Sequence, residues 1–309
     1  MQHILEAKGI SKKYGDFQAL HNIDLKIPKQ SIFGIMGPNG AGKTTFIRII
    51  NQITMPDQGE VLFDGNPIQP DDIQQIGYLP EERGLYKSMK VGEQVLYLAQ
   101  LKGLTKKEAK DRLYYWFEQL EIDDWFDKKV NELSKGMAQK IQFIVTVIHQ
   151  PKLLILDEPF SGFDPVNANL IRKQIIKLKN EGATILLSTH RLENIEEMCD
   201  YIALLNKSEK LLDGKIDDVR QDFRTQVFQL SLKTDQKEEL ESHLKSKFEL
   251  LPADFKTIAG NWKANVKLPE SIAPNQFLKE LMPLGTITHF NEVMPSVNEI
   301  FIKSVAEHA

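Results

Sequence analysis

Gly37, Gly42, Lys43 and Thr44 fall in the stretch SIFGIMGPNGAGKTTFIRII, between an apolar run that reads as a strand and a periodic run that reads as a helix. That spacing suits one kind of chemistry. Glycines let the backbone curl until successive N–H groups point inward, and the helix N-terminus behind the curl adds partial positive charge. Such a loop is built to hold phosphate oxygens. Its residues are Gly37, Pro38, Asn39, Gly40, Ala41 and Gly42, followed by Lys43, Thr44 and Thr45. Lys43 is placed to reach the β and γ phosphates of a nucleotide such as ATP, and the Thr44 hydroxyl to hold Mg²⁺.

Acids follow at a second place. In KLLILDEPFSGFDP, Asp157 and Glu158 close a short apolar run. Acids at the mouth of a buried parallel strand sit where α/β sheets hold ligands. A lone acidic pair after a strand would be a turn or a helix cap; with a phosphate loop in the same chain, Asp157 is suited to Mg²⁺ and Glu158 to orienting and polarising an attacking water. His190 ends the next apolar run, ATILLSTH. If the two runs are neighbouring strands, His190 lies at the same edge as Asp157, within reach of the γ-phosphate or the water. A third acidic stretch, IGYLPEERG, carries Glu81, Glu82 and Arg83 after a proline. By itself it reads as a solvated charged turn.

These residues need a scaffold, and the pattern of the chain supplies one. Strand-like runs fill the first 80 or so residues, a helical stretch with charged and apolar residues interleaved covers about 88–150, and buried strands alternate with helices after it. Continuous apolar runs such as LLILD argue for a parallel sheet covered on both faces. YIALLNKSEKLLDG reads as a hairpin near the sheet edge. Beyond about residue 220 the order becomes strand, helix, strand, strand, helix, strand, with the middle strands expected at KTIAG and WKANVKL. The 309 residues thus divide into about 1–220 and 221–309. Net charge is −4 with a pI near 6.0, which gives no overall basic footprint for nucleic acid. Cys199 is the single cysteine, so no internal disulfide framework exists. The start MQHILEAKGI lacks the features of a secretory signal, and no apolar run reaches the roughly 18 residues that span a bilayer. Work at a membrane would need another chain for the spanning part.

In this order the motifs resemble the ATP-binding subunit of ABC transporters: the phosphate loop at 37–45, a helical insertion, LSKGM at 133–137, LLILDEP at 153–159, SGFDP at 161–165 and STH at 188–190. The match covers about residues 1–220. The resemblance implies a P-loop ATPase fold with a mixed core sheet, an antiparallel β subdomain and a helical subdomain at about 88–150. It also implies that Tyr14 stacks on adenine, and that Ser134 and Gly136 offer a hydroxyl and an N–H to the γ-phosphate of ATP held by a second subunit. Asp164 would contact that subunit's phosphate loop. LSKGM departs from the common LSGGQ at Lys135 and Met137. The tail, ending MPSVNEIFIKSV, resembles the extra C-terminal α+β domain of a subset of bacterial ABC ATPases that includes sodium-efflux-linked members.

Two further expectations come with the family. The loop after IGYLP usually carries a glutamine that touches Mg²⁺ and the attacking water; counted from the proline, that position is Glu81 here, which would then be a metal-side ligand, with Glu82 and Arg83 facing solvent or a permease. The implied activity is ATP hydrolysis by a head-to-tail homo- or heterodimer that drives separate transmembrane permease subunits, on the cytoplasmic face of the membrane, in the direction of export. Other classes remain open at this point, a soluble ABC ATPase without a transport role and a regulatory ATP-sensing switch. Retention of Glu158 weighs against the switch.

Overall fold

The computed structural model describes residues 2–82, 84–253 and 255–308. Two units emerge from the packing: one comprises the chain through Ile216 together with the residues from Lys303 onward, and the other spans Asp217–Ile302.

In the first unit, β1 (His3–Tyr14), β2 (Phe17–Pro28), β4 (Gln58–Phe63) and the two-residue β5 (Asn66–Pro67) form an antiparallel sheet in the order β2-β1-β4-β5. Between them in sequence, β3 (Ile32–Met36) and α1 (Lys43–Ile50) are the strand and helix expected around the phosphate loop. β3 belongs to a six-stranded sheet ordered β10-β9-β3-β8-β7-β6, completed by β6 (Ile76–Leu79), β7 (Leu153–Asp157), β8 (Thr184–Ser188), β9 (Tyr201–Asn206) and β10 (Glu209–Lys215). The pairs β9–β3, β3–β8, β8–β7 and β7–β6 are parallel, and β10 closes one edge antiparallel to β9 as a hairpin. All five residues of β3, of β7 and of β8 are buried, which is why these strands read as unbroken apolar runs rather than alternating ones. One face, with Phe33, Ile35, Leu153, Ile155 and Leu186, packs with Phe46, Ile47 and Ile50 of α1 and with Leu25 and Val61 of the antiparallel sheet into one apolar core.

The helical stretch holds α2 (Val91–Leu101), α3 (Lys106–Gln119) and α4 (Lys135–Val147). α3 opens on a capping box: Thr105 Oγ1 accepts from the Glu108 N–H at 3.3 Å, and Glu108 Oε2 accepts from the Thr105 N–H at 2.9 Å. α4 opens on Ser134, whose hydroxyl accepts from the Met137 N–H at 3.3 Å. Gly77 on β6 lies directly under α4. A Cβ there would come within 2.4 Å of the Thr146 carbonyl, so only glycine permits the approach. α5 (Pro165–Asn180), α6 (Leu192–Met198) and α7 (Ile216–Asp222) follow the later strands.

The second unit is a four-stranded antiparallel sheet ordered β12-β13-β11-β14, made of β11 (Val227–Lys233), β12 (Glu249–Leu251), β13 (Trp262–Lys267) and β14 (Thr286–Glu292). α8 (Lys237–Lys247) and α9 (Pro274–Leu281) pack Leu240, Leu244, Phe277 and Leu281 against Phe228, Leu230, Leu232 and Val266 of the sheet. α10 (Val297–Glu307) ends the described chain. The expected strand at KTIAG does not form. The third element is β12, directly after α8, and the 256–260 segment is a loop with Ile258 exposed.

His149, just beyond α4, places Nε2 3.3 Å from the Ile76 carbonyl. Burial, aided by the charges of Lys102 and Arg112, pulls its pKa down to about 4, against a partial offset from that carbonyl. The unfolded chain therefore takes up a proton near pH 6.5 that the folded chain refuses until about pH 4, and stability falls as pH drops through this window, by about 1.4 kcal/mol per unit of separation at most. His149→Gln, which keeps a donor but does not titrate, should flatten the fall in melting temperature between pH 7 and 4.5. Parallel melting curves for the two proteins would contradict the assignment.

Candidate active site

Parallel register brings the sequence-predicted groups to one edge. Asp157 is the last residue of β7 and pairs across to Ser188, the last of β8, so Glu158 and His190 leave the sheet side by side. β3 runs parallel to β8 and delivers the phosphate loop to the same end. The resulting cleft, about 230 Å³, is lined by Asn39, Gly40, Ala41, Gly42, Lys43, Thr44 and Thr45 on the loop side, and by Glu81, Asp157, Glu158, Ser188 and His190 opposite; Phe17 and Ala19 complete it.

The loop is held by its own lysine. Lys43 Nζ donates to the carbonyls of Gly37 at 2.7 Å and Pro38 at 3.0 Å. Burial lowers the pKa of this ammonium, while the nearby carboxylates of Asp157, Glu158 and Glu81 oppose that shift. Gly42, the residue before α1, has φ +106°, and a Cβ on it would lie 2.5 Å from the Ala19 carbonyl. Both the conformation and the contact exclude any larger residue.

Asp157 is 4 % exposed. Burial raises its pKa, against a hydrogen bond from Ser188, and the charges of Glu81 and Glu158 push the same way as burial. Glu158 adopts φ +51°, an uncommon backbone state for a non-glycine residue, held by its N–H donating to the Ser188 carbonyl at 2.8 Å. Its Oε1 accepts from the His190 backbone N–H at 2.7 Å and lies 2.7 Å from His190 Nδ1, while Oε2 accepts from the Thr189 hydroxyl at 3.2 Å. Opposite an ionised Glu158, His190 Nδ1 carries the proton. The arrangement presents a fixed carboxylate, a hydroxyl at Thr44 and a backbone cradle.

Glu81 follows β6 and is exposed at the cleft, and it adds charge to the environment of both Lys43 and Asp157. Glu82 is exposed; Arg83 lies outside the described residues. Among the described residues no group of three or more His, Cys, Asp or Glu forms a metal cage. The oxygen donors here, a threonine hydroxyl and isolated carboxylates, fit a hard cation such as Mg²⁺ whose remaining ligands would be substrate phosphates and water.

Four sequence-predicted residues lie elsewhere on the surface of the same unit. Ser134 caps α4, and Gly136 follows in its first turn, 3.3 Å from the Gly162 carbonyl as measured from a Cβ built on it. Asp164 caps α5, accepting from the N–H groups of Val166 at 2.9 Å and Asn167 at 3.0 Å; these bonds hold its pKa low. Tyr14 is exposed at the end of the β1–β2 hairpin with the Lys12 ammonium 5.7 Å from its ring centre, and does not line the cleft. Its cross-strand partner Phe17 does. Sequence reasoning missed Phe17, although positions 17 and 19 share a strand face and Ala19 touches Gly42. Thr189, which also grips Glu158, was legible only as the middle of STH.

A loop that cradles phosphate, acids at the ends of adjacent parallel strands and an inserted helical region define a nucleotide-hydrolysing P-loop domain. The ABC transporter family model matches residues 20–161, and the model for the ATP-binding protein DrrA1-3-like C-terminal domain matches 214–305. The chain belongs to the ATP-binding proteins of ABC transporters, and is an ATP hydrolase of that type. Relatives include the uncharacterized ABC transporter ATP-binding protein YhaQ of Bacillus subtilis, 42 % identical and covering 96 % of both chains. The Nod factor export ATP-binding protein I of Cupriavidus metallidurans is 33 % identical over 70 % of this chain and 72 % of its own. Lantibiotic transport ATP-binding protein SrtF of Streptococcus pyogenes is 30 % identical over 69 % and 92 %. Among solved structures, an ATP-binding subunit of an ABC transporter superposes with a TM-score of 0.67 at 31 % identity, over 71 % of this chain and 93 % of that one.

Gly42→Ala puts a methyl group into the Ala19 carbonyl and forbids the +106° backbone state. It should cost more than about 1 kcal/mol of stability and weaken ATP binding at least tenfold. Calorimetric titration with ATP checks this; unchanged affinity would show that the loop conformation does not serve the nucleotide.

Proposed function

We propose that this chain is the ATP-hydrolysing subunit of an exporter, working as a head-to-tail pair on separate transmembrane subunits at the cytoplasmic face of the membrane. One observation carries the pairing. Ser134, Gly136 and Asp164 sit at helix starts on the surface and do not line their own chain's nucleotide cleft, so they serve ATP only when a second copy presents its loop to them. The named roles of two relatives, in Nod factor export and lantibiotic transport, favour a transporter, and the first of them favours the outward direction. Among the described residues no helix is long and apolar enough to cross a membrane; on this reading other chains supply the spanning part. On this reading residues 1–220 carry the ATPase, and 221–309 form an accessory domain.

Within the cleft, the backbone of residues 37–42 with Lys43 and Thr45 would hold the phosphates, and the aromatic pair Tyr14 and Phe17 would flank the base. Thr44, Asp157 and Glu81 would hold Mg²⁺, which when bound neutralises phosphate charge. Glu158, gripped by His190 and Thr189 and lining the cleft, would take the proton of the attacking water. ATP binds both halves at once and favours closure; loss of the γ-phosphate removes that link and lets them part.

Replacing Glu158 by glutamine removes the proton acceptor and should slow hydrolysis by about 10²–10⁴-fold while ATP still binds, leaving an ATP-dependent dimer that accumulates in sedimentation. Equal rates in the two proteins would sink the enzymatic role given to Glu158. For Glu81, the alanine variant should need several-fold more Mg²⁺ for half-maximal hydrolysis, about 1–2 kcal/mol of lost ligation; an unchanged Mg²⁺ profile would return Glu81 to a solvated turn.

A further inference from the structure

β6 is the last strand of its sheet and, among the described residues, pairs only with β7. The Gln75 carbonyl accepts from the Lys152 N–H beside β7, so the carbonyls two and four residues on face the same way, and those of Ile76, Tyr78 and Pro80 face outward. An outward row of this kind is normally left to solvent or to another strand. Here the helical region meets it. His149 Nε2 lies 3.3 Å from the Ile76 carbonyl, and Gln142 Nε2 3.5 Å from that of Pro80 and 3.3 Å from that of Glu82; between them the Thr146 hydroxyl donates to the Gln142 carbonyl at 2.9 Å and lies 3.4 Å from that of Tyr78. Lys102, capping α2, adds its ammonium to the carbonyls of Ile73 and Ile76.

The rungs match for a geometric reason. Residues 142 and 146 recur at the i, i+4 spacing of one face of α4, and His149, in the turn that follows it, continues the i+7 position. Four helical residues advance about 6 Å and two strand residues about 6.6 Å, so a helix antiparallel to an edge strand keeps step with alternate carbonyls. Gly77 allows the close packing this requires.

The ends of this ladder are what matter. α4 is capped by Ser134, in LSKGM, and β6 ends at Leu79, two residues before Glu81 in the nucleotide cleft. Gln142 holds the carbonyls on either side of Glu81. It is 5 % exposed, and its Oε1 has no hydrogen-bond partner among the described residues, a cost that an apolar residue would avoid.

We propose that Gln142 and His149 are positioning residues that tie the β6 edge to the signature helix, with Gln142 setting the place of Glu81 through the carbonyls on either side of it. The inference rests on the Glu81 reading above. Gln142→Met keeps the length and removes the amide. It should raise the Mg²⁺ concentration for half-maximal hydrolysis about fivefold, with Mg²⁺-free ATP binding unchanged. Adding Gln142→Met to Glu81→Ala should change the Mg²⁺ profile no further, because the two act through one ligand. A Mg²⁺ shift in Glu81→Ala with none in Gln142→Met overturns this inference alone, as do shifts that simply add. No shift in Glu81→Ala overturns the metal-side reading of Glu81 and this inference with it.

Discussion

The cleft is organised around a single ammonium. Lys43 folds back onto two carbonyls of its own loop while the carboxylates of Glu81, Asp157 and Glu158 lie near enough to oppose its desolvation. Without that positive charge, three acids converging on a buried edge would repel one another, and Asp157, already pushed toward protonation by burial, would be pushed further. Without the acids, a desolvated ammonium would favour losing its proton. Each sign of charge makes the other tolerable, and the loop backbone, the strand ends and the histidine turn all meet at the balance point.

Much of this was legible in the sequence, because the elements involved are local and strongly patterned. The strand–loop–helix around Lys43, the fully buried runs at 153–157 and 184–188 and the turn carrying His190 follow from apolar runs and glycine placement. What bound Glu158 was not legible: the donors from Thr189 and from the His190 backbone depend on the left-handed state at Glu158 and on strand register. Phe17 was missed because it reaches the cleft by cross-strand pairing with Tyr14. The outward carbonyls of β6 could not be foreseen either, since edge position is a property of the sheet and not of the strand's own residues.

The second unit shows the same division. Alternation along β11, with Phe228, Leu230 and Leu232 inward, was readable, as were both of its packed helices. The strand expected at 256–260 failed because its alternation carries a single large apolar residue, Ile258, and the sheet had no need of it. β12 instead continues straight from α8, whose closing residue Phe248 packs edge-on against Phe277 and pins the strand start. Packing against an aromatic partner outweighed the local pattern.

The second unit is inserted between Ile216 and Lys303 of the first. Among the late residues, the His308 carbonyl accepts from Lys207 Nζ at 3.4 Å, and Ser304 is 3 % exposed. During synthesis, which proceeds from the N-terminus, the inserted unit is therefore fully emerged before the first unit has its last pieces. The nucleotide-hydrolysing unit, although almost all of it is made first, is closed last.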